Sequence, residues 1–182
     1  MKRFVLFVIT LILLTTSACA ATSVKTNLKW AVDQYVDEFG RKTGDKIVHN
    51  TELVYGTFSN SVAKNATLGV FIVADKNDIY LLMYEYGRSM VTNPLSRQNY
   101  MYDVSILDAN NKKHTLKGAI PPSDYRLYFD NNNTVINALK SGSISMAITK
   151  SDRKVQRYNF TIDDTKDFGK LYDQTFQKKK KK

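Results

Sequence analysis

The alternation of apolar and polar positions is clearest in the stretch 66–87. Two apolar runs, 68–74 and 79–86, flank a polar tetrapeptide at 75–78. Both runs are rich in β-branched and aromatic residues, and four polar residues between such runs are typical of a hairpin loop. Each run is apolar at odd and even positions alike, as in strands that are covered on both faces. The pattern predicts a central β-hairpin against which the other elements pack.

Further alternating segments, joined by short polar turns, predict more strands. Tyr100–Asp108 and His114–Ile120 form a second predicted hairpin. Within the predicted strand 125–129, Tyr125 is expected to face inward with Leu127 and Phe129. Gly56 interrupts another run, which indicates a bulge or a close approach of two backbones. The remaining strands are predicted within 47–59, 144–149 and 155–162.

Helical periodicity occurs at three places. The apolar residues of Leu28–Phe39 recur at helical spacing and Gly40 follows them, which favours a helix over the alternative, a short strand at 29–32. A helix of about two turns is predicted around 135–139, after an Asn run that suits its N-terminus. A C-terminal helix is predicted from the acidic pair at 163–164 to the start of a lysine tail.

These elements predict a mainly β fold. We expect a single-domain antiparallel β-sandwich or partly open barrel of about seven to nine strands, with a short internal helix and a C-terminal helix. Strands and helices do not alternate, so a doubly wound parallel sheet is not expected. The 182 residues, 43% of them hydrophobic, suit one domain over 28–177, preceded by a flexible leader at 21–27.

The first twenty residues predict a secretory signal peptide. A basic pair, Lys2-Arg3, precedes an apolar run at 4–14 and small residues at 17–21. Cleavage after Ala20 would remove Cys19, the only cysteine. Alternatively, Cys19 becomes the lipid-bearing first residue of a lipoprotein, although Thr16 stands where such signals usually carry an aliphatic residue. We therefore expect an exported protein, periplasmic, extracellular or at the cell surface. No later apolar run reaches the length of a membrane-spanning helix.

The formal charge of +10 is concentrated at the two ends of the chain. Of the 27 basic residues, seven lie in the signal and in the tail, which leaves 20 against 17 acidic residues. The tail is predicted to be disordered and solvated. The alternative is contact with an anionic surface through the tail, which would weaken with salt. No specific nucleic-acid motif is present. The tail consists of Lys178, Lys179, Lys180, Lys181 and Lys182.

Catalytic and metal-binding patterns are scarce. His49 and His114 are predicted to be exposed, with no acidic residue at ligand spacing. The tetrapeptide 75–78 resembles the start of a calcium loop but lacks the glycine and the terminal glutamate, so a turn is predicted instead. The segment 39–46 carries two glycines without the Gly-Lys-Ser/Thr of a phosphate loop and is predicted to be an exposed turn. No cofactor, metal or catalytic site is predicted.

The exit of the central hairpin carries the candidate site. Tyr84, Glu85, Tyr86 and Arg88 place two aromatic rings, a carboxylate and a guanidinium close together in the chain. Such a cluster suits a polar ligand or a protein partner. The alternative is a local ion pair between Glu85 and Arg88 at the end of a strand.

Four short motifs stand in the chain: Asp37-Glu38-Phe39-Gly40, Thr43-Gly44, Gly56-Thr57-Phe58-Ser59-Asn60-Ser61 and Tyr84-Glu85-Tyr86-Gly87. Together they resemble motifs of small exported bacterial proteins of unassigned function. This resemblance implies an exported β-rich domain and carries over no catalytic residue. We expect a non-enzymatic binding or envelope-accessory module whose partner is a protein or an envelope component. The alternatives are a surface lipoprotein anchored through Cys19, and a hydrolase that uses carboxylates such as Glu85 or Asp103.

Overall fold

The computed structural model describes residues 28–93 and 98–177. The predicted signal peptide, the leader, Cys19 and the lysine tail lie outside these residues. Within them the chain forms eleven strands and two helices. In order they are β1 Trp30–Val36, β2 Lys42–Asn50, β3 Val54–Ser59, β4 Ala66–Ala74, β5 Ile79–Glu85, β6 Ser89–Met90, β7 Tyr100–Asp108, β8 Lys113–Ile120, β9 Arg126–Phe129, α1 Asn132–Lys140, β10 Ile144–Lys150, β11 Arg157–Ile162 and α2 Lys166–Phe176.

Eight antiparallel strands close into a barrel in the order β4-β3-β11-β10-β7-β8-β9-β5, and β5 returns to β4. The predicted central hairpin is the point of closure, since β4 and β5 pair from Leu68↔Glu85 to Ala74↔Ile79. The mainly β, antiparallel fold with an internal and a C-terminal helix is thus confirmed. Three further strands extend the barrel: β2 and β1 continue from β4, and β6 flanks β5.

Side chains fill the interior of the barrel. An eight-stranded barrel is just wide enough inside for its own side chains, and here large apolar groups occupy that space. Helix α1 closes one end with Val135, Ile136 and Leu139, all buried. Helix α2 packs against α1, β1 and β2. The largest fully buried residues include Tyr102, Tyr158, Phe58, Phe168, Leu68, Ile72, Ile79, Leu81 and Met83.

The predicted N-terminal helix is wrong. Residues 30–36 form β1, which pairs with β2 from Trp30↔Asn50 to Val36↔Lys42. The residues that suggested a helical stripe do not share a buried face: Val32, Val36 and Phe39 are 41%, 58% and 72% exposed. Trp30 is buried, with its ring centroid 4.8 Å from that of Phe168. The hydrogen bonds that decide this segment come from β2, a partner that local periodicity does not reveal.

Two smaller expectations are also corrected. The segment 39–46 is not one exposed turn, because the turn spans 37–41 and Lys42 already begins β2. Tyr125 does not face inward and is 44% exposed. Asp124 accepts hydrogen bonds from the backbone N–H groups of Tyr125 and Arg126, so the chain is still turning there, and β9 begins one residue later.

Asn50 fills a gap beside β4 that the sequence did not reveal. Strand β2 leaves β4 after Val48↔Ala74 and His49↔Val73, and β3 joins the same edge only at Val54↔Val70. Between them, the fully buried Asn50 accepts from Ile72 N at 2.6 Å through Oδ1. Its Nδ2 donates to Glu52 O at 2.6 Å and to Val70 O at 3.2 Å. One side chain thus satisfies backbone groups of β4 that no strand reaches.

Gly56 marks a close approach of β3 to β11, as its position in the sequence suggested. A Cβ atom at this position would lie 2.1 Å from Asn159 O and 2.7 Å from the Cβ of Phe160. Since two strands cannot separate locally without losing their ladder, the pairing of Gly56 with Phe160 requires a residue without a side chain.

Candidate functional site

The predicted site lies at the end of the barrel away from α1. Helix α1 is fastened to the turn between β4 and β5, where Asn132 Nδ2 donates to Asn77 O at 3.2 Å. Glu85 is at the opposite end of β5. We call this opposite end the barrel mouth and define it by Phe58, Glu85, Tyr102, Lys150 and Tyr158. The mouth is where the inward-facing groups change from hydrocarbon to polar.

The Glu85 side chain faces the interior of the barrel and is hydrogen-bonded to a buried tyrosine. Its Oε1 accepts from the hydroxyl of Tyr158 at 3.0 Å. The same hydroxyl accepts from Nε2 of Gln156 at 2.5 Å. Burial raises the pKa of Tyr158 above its ordinary value, so this hydroxyl stays protonated and remains a donor. Glu85 thus closes the core at the mouth instead of presenting a free carboxylate.

Tyr86 holds an unusual backbone conformation. Its φ is +56°, and Gly87 follows at +67°. The left-handed region is uncommon for a bulky residue. The Tyr86 ring, 52% exposed, packs edge-on against Phe58 with ring centroids 4.9 Å apart. This aromatic contact helps to offset the backbone strain and holds the Tyr86 ring at the edge of the barrel mouth, which we call its lip.

The four residues of the predicted cluster do not converge. Tyr84 lies on the other face of β5 from Glu85, because successive side chains of a strand alternate. Arg88 is exposed in the turn, and its contact with Glu85 is a backbone hydrogen bond from Arg88 N to Glu85 O at 3.1 Å. Among the described residues, Arg88 forms no ion pair. The site hypothesis retains Glu85 and Tyr86 at the mouth, with Tyr84 turned away.

The sequence did not point to Lys150 or Tyr102 as residues of the barrel mouth. Lys150 is the last residue of β10 and is buried, with Nζ 3.6 Å from the centroid of the Tyr100 ring. Burial lowers the pKa of Lys150. Its register partner, Tyr102, is fully buried, and the Tyr102 hydroxyl has no hydrogen-bond partner among residues 28–93 and 98–177. The signal was present in the alternation of Ile144, Met146 and Ile148, which places position 150 inside the barrel.

A groove on the outside of the barrel is a further candidate site on the described surface. It measures about 1030 Å³ and runs over the outward faces of β3, β11, β10 and β7. Its floor is a row of cross-strand partners, Thr57↔Asn159, Asn159↔Ala147 and Ala147↔Ser105. We call this feature the outer groove. It exists because four neighbouring strands each place a short side chain at the same level.

A second row of short side chains widens the floor of the outer groove. Thr161 pairs with Ser145, and Ser145 pairs with Leu107. The hydroxyl oxygens of Ser145 and Thr161 are 2.9 Å apart, within hydrogen-bond distance. Tyr55 is 65% exposed and Leu107 is 40% exposed, and these larger groups stand above the floor. The groove thus combines hydroxyl and amide groups below with apolar surface at its sides.

Charged residues lie beside the floor and not in it. The Asp103 carboxylate pairs with Lys117 on the outer face, and this hydrogen bond lowers the pKa of Asp103. Lys113 lines one end of the groove, next to Leu107 in the register. Asp103 and Glu85 lie on opposite faces of the barrel wall, so these two carboxylates do not face a common cleft.

The prediction for the histidines is wrong at His114. The turn after β7 brings His114 back to Asp108, with Nε2 2.9 Å from Oδ2, and both side chains are mostly buried. This hydrogen bond is the main influence that lowers the pKa of Asp108. His49 is half-buried, with its ring 5.4 Å from that of Phe71. The pairing was missed because a hairpin turn, not helical spacing, joins the two residues.

A third cluster lies on the outer face of β5 and β9. The guanidinium of Arg126 lies 5.6–5.7 Å from the ring centroids of Tyr80, Tyr125 and Tyr128. Asp124 accepts from Nε and Nη2 of Arg126 at 3.0 and 3.1 Å. The arginine is therefore already satisfied by its own neighbours, and the cluster fastens β9 to β5.

The described residues contain no group of three or more His, Cys, Asp or Glu side chains placed to hold a metal ion. In the predicted turn at 75–78, Asp75 Oδ1 accepts from the backbone N–H groups of Asn77 and Asp78, which confirms the turn. Neither helix in 28–93 and 98–177 has the length and apolar character needed to cross a membrane. No protein-family model matches the chain, and no curated protein or solved structure matches it.

Proposed function

We propose that this protein is an exported bacterial binding module that holds a component of the cell envelope in the outer groove. The observation that carries the proposal is the contrast between a barrel filled with its own side chains and an outer wall with a groove of about 1030 Å³. With the interior occupied, recognition falls to the outside of the molecule. The groove has the size and the mixed polar and apolar lining of a binding site.

The chemistry of the groove supports binding over catalysis. A serine or threonine nucleophile needs an adjacent base, and among the described residues the hydroxyl of Ser145 contacts that of Thr161 instead. The two carboxylates of the hydrolase hypothesis, Glu85 and Asp103, are paired with Tyr158 and Lys117 on opposite sides of the wall. Hydroxyl and amide groups that both donate and accept suit reversible recognition of a polar ligand.

Export is proposed from the signal peptide at 1–20, and the fate of Cys19 remains open between removal and lipidation. Mass spectrometry of the mature N-terminus separates the two. An acylated Cys19 supports the surface lipoprotein. A free N-terminal Ala21 supports release after cleavage, and an uncleaved chain contradicts export through this signal.

The proposal is tested by cosedimentation of the purified mature protein with washed envelope fragments. Ala147→Trp places a large ring on the floor of the groove, and we expect it to reduce binding at least tenfold, about 1.4 kcal/mol. Met101→Trp is the matched control, because Met101 lies on the same wall outside the groove lining and is also exposed. Equal binding by wild type and Ala147→Trp would reject the groove.

Two further measurements separate the groove from the other candidate contacts. The double variant Arg88→Ala with Tyr86→Ala tests the barrel mouth. If this variant no longer binds envelope fragments although its groove is unchanged, the binding site is at the mouth and not in the groove. Removal of Lys178–Lys182 tests the tail. Contact between a lysine tail and an anionic surface falls steeply as salt rises, whereas binding to the uncharged floor of the groove is expected to change little.

A further inference from the structure

We infer that the ligand of the outer groove is a linear, uncharged glycan that lies across the strands. The inference rests on the proposed function and names its ligand class. Four features of the groove carry it: the repeat of its floor, the chemistry of the floor groups, the absence of charge among them, and the exposed ring at its side.

The floor repeats at a spacing that suits a chain of sugar rings. Thr57, Asn159, Ala147 and Ser105 follow one another across β3, β11, β10 and β7, one residue for each strand. Neighbouring strands are about 4.8 Å apart, which is comparable to the length of one sugar ring. These four residues line the groove and cover three such spacings, about 14 Å along the barrel wall. Successive rings of a linear glycan would therefore meet equivalent strands.

The floor groups match sugar hydroxyls better than they match a peptide. Hydroxyl and amide side chains can each donate and accept, as sugar hydroxyls do. An extended peptide is recognised mainly when it adds a strand to a free sheet edge. Strands β3, β11, β10 and β7 have a partner on each side within the closed barrel. Their backbone groups are already used, so only side chains are available to the ligand.

Because the floor of the groove carries no charged side chain, it does not favour an anionic polymer. None of Thr57, Asn159, Ala147, Ser105, Ser145 and Thr161 is ionisable. Nucleic acids and other polyphosphates are bound by lysine and arginine groups placed along the backbone of the polymer. Lys113 and Asp163 line the groove beside the floor with opposite charges, and Lys117 on the same face is paired with Asp103. An uncharged ligand requires no counter-charge on the floor.

Tyr55 supplies the apolar surface that sugar rings need. Its ring is 65% exposed and lines the groove beside the floor. Aromatic side chains combine a large apolar face with few rotatable bonds, so they hold a ligand at low entropic cost. The CH face of a sugar ring stacked on Tyr55 would leave the sugar hydroxyls directed at Thr57 and its neighbours.

The test titrates the purified mature protein with two neutral probes, β-1,4-linked tetramers of glucose and of N-acetylglucosamine, and with their monomers. We expect one tetramer to bind at least tenfold more tightly than its monomer, because only the tetramer spans the row. Tyr55→Ala should weaken the tetramer about tenfold, and Ala147→Trp should abolish binding. Met101→Trp should leave binding unchanged. Calorimetry gives the affinities, and thermal unfolding verifies that each variant is folded.

The ways in which the inference can fail are distinguishable. If neither tetramer binds while Ala147→Trp still blocks sedimentation with envelope fragments, the glycan inference is wrong and the proposed function stands. If a tetramer binds equally well to Ala147→Trp and to wild type, the groove is not the site and both are wrong. Stronger binding of an anionic control, polyglutamate or polyphosphate, would also overturn the inference. If Ala147→Trp does not fold, the affinity of Tyr55→Ala for the tetramer decides between these outcomes.

Discussion

Asn50 lies where the barrel joins strands β1 and β2, which we call the N-terminal arm. Its amide satisfies Ile72 N, Val70 O and Glu52 O at a point of β4 that neither β2 nor β3 covers. A buried donor or acceptor that loses its partner costs about 1–3 kcal/mol. Asparagine is the residue that fits, because this position needs an acceptor and a donor on one short side chain.

Asn50→Asp should destabilise the protein by about 3 kcal/mol, since a carboxylate oxygen would replace Nδ2 opposite two carbonyl oxygens. Urea unfolding followed by circular dichroism measures the free energy of unfolding. The control is Asn133→Asp, at an exposed position in the first turn of α1. There we expect less than about 0.5 kcal/mol. Equal stability of the two variants would contradict the role assigned to Asn50.

The hydrogen bond between Asp108 and His114 should appear in the dependence of stability on pH. The pKa of Asp108 is lowered in the folded state. Its contribution is therefore present above the unfolded value of about 3.9 and is lost as pH falls through the lower, folded value. We expect the free energy of unfolding of Asp108→Asn to fall less between about pH 4 and pH 2 than that of wild type.

The comparison of Asp108→Asn with wild type isolates this group from other carboxylates whose pKa is lowered, such as Asp37 and Asp103. Urea unfolding at several pH values provides the two curves. Parallel curves for the two proteins through the acid range would show that Asp108 contributes nothing to acid stability.

At the level of elements, the barrel wall depends on pairs of strands that approach closely. Gly56 lets β3 pair with β11 because no Cβ meets the backbone of Asn159. The other side of β3 pairs with β4, so a displacement of β3 disturbs two ladders together. The outer groove shares this dependence, because Thr57, the next residue, begins its floor.

Gly56→Ala should therefore cost about 3 kcal/mol, at the upper end of the usual cost of overpacking. The measurement is urea unfolding, with Thr57→Ala as the neighbouring control on the exposed face of the same strand. The Gly56→Ala variant should also bind envelope fragments less well, since Thr57 in the floor of the groove moves with β3. A loss below about 1 kcal/mol would mean that β3 adjusts without disturbing its partners.

The strands and hairpins that were predicted from sequence share one property. In β10 and β11 the buried residues recur at every second position, and in β4 and β5 two apolar runs flank a polar turn at 75–78. That information is local. The helix predicted for 28–39 is wrong because Val32, Val36 and Phe39 are exposed and the hydrogen bonds of this segment come from β2. Lys150 continues an inward alternation, so it could have been found, whereas the pairing of His114 with Asp108 needed the geometry of the hairpin turn.

At the scale of the whole molecule, closure of the barrel divides the chain into a protected body and a less protected arm. Every strand of the barrel has two neighbours, whereas β1 is the last strand of the sheet. Most of the residues from Val32 to Lys46 are exposed or half-buried. Exposed backbone hydrogen bonds with little apolar cover open more often than those of a core.

Hydrogen exchange measured by mass spectrometry should therefore separate the two parts. We expect peptides from β4 and β5 to exchange slowest, with protection close to that of global unfolding. Peptides from β1 and the first half of β2 should exchange at least tenfold faster. Protection of β1 as strong as that of β4 would mean that the arm unfolds only together with the barrel.

The sequence by itself determined the eight strands of the barrel, the hairpin turns between them and the mainly antiparallel β fold that follows. These features depend on neighbours within a few residues, through alternation and turn chemistry. Only the tertiary structure decided that the barrel closes, that Asn50 bridges β2 and β3, and that Tyr84 and Glu85 face opposite ways. It also decided that Thr57, Asn159, Ala147 and Ser105 form one floor. Those features depend on the register between strands distant in the chain, which local patterns do not specify.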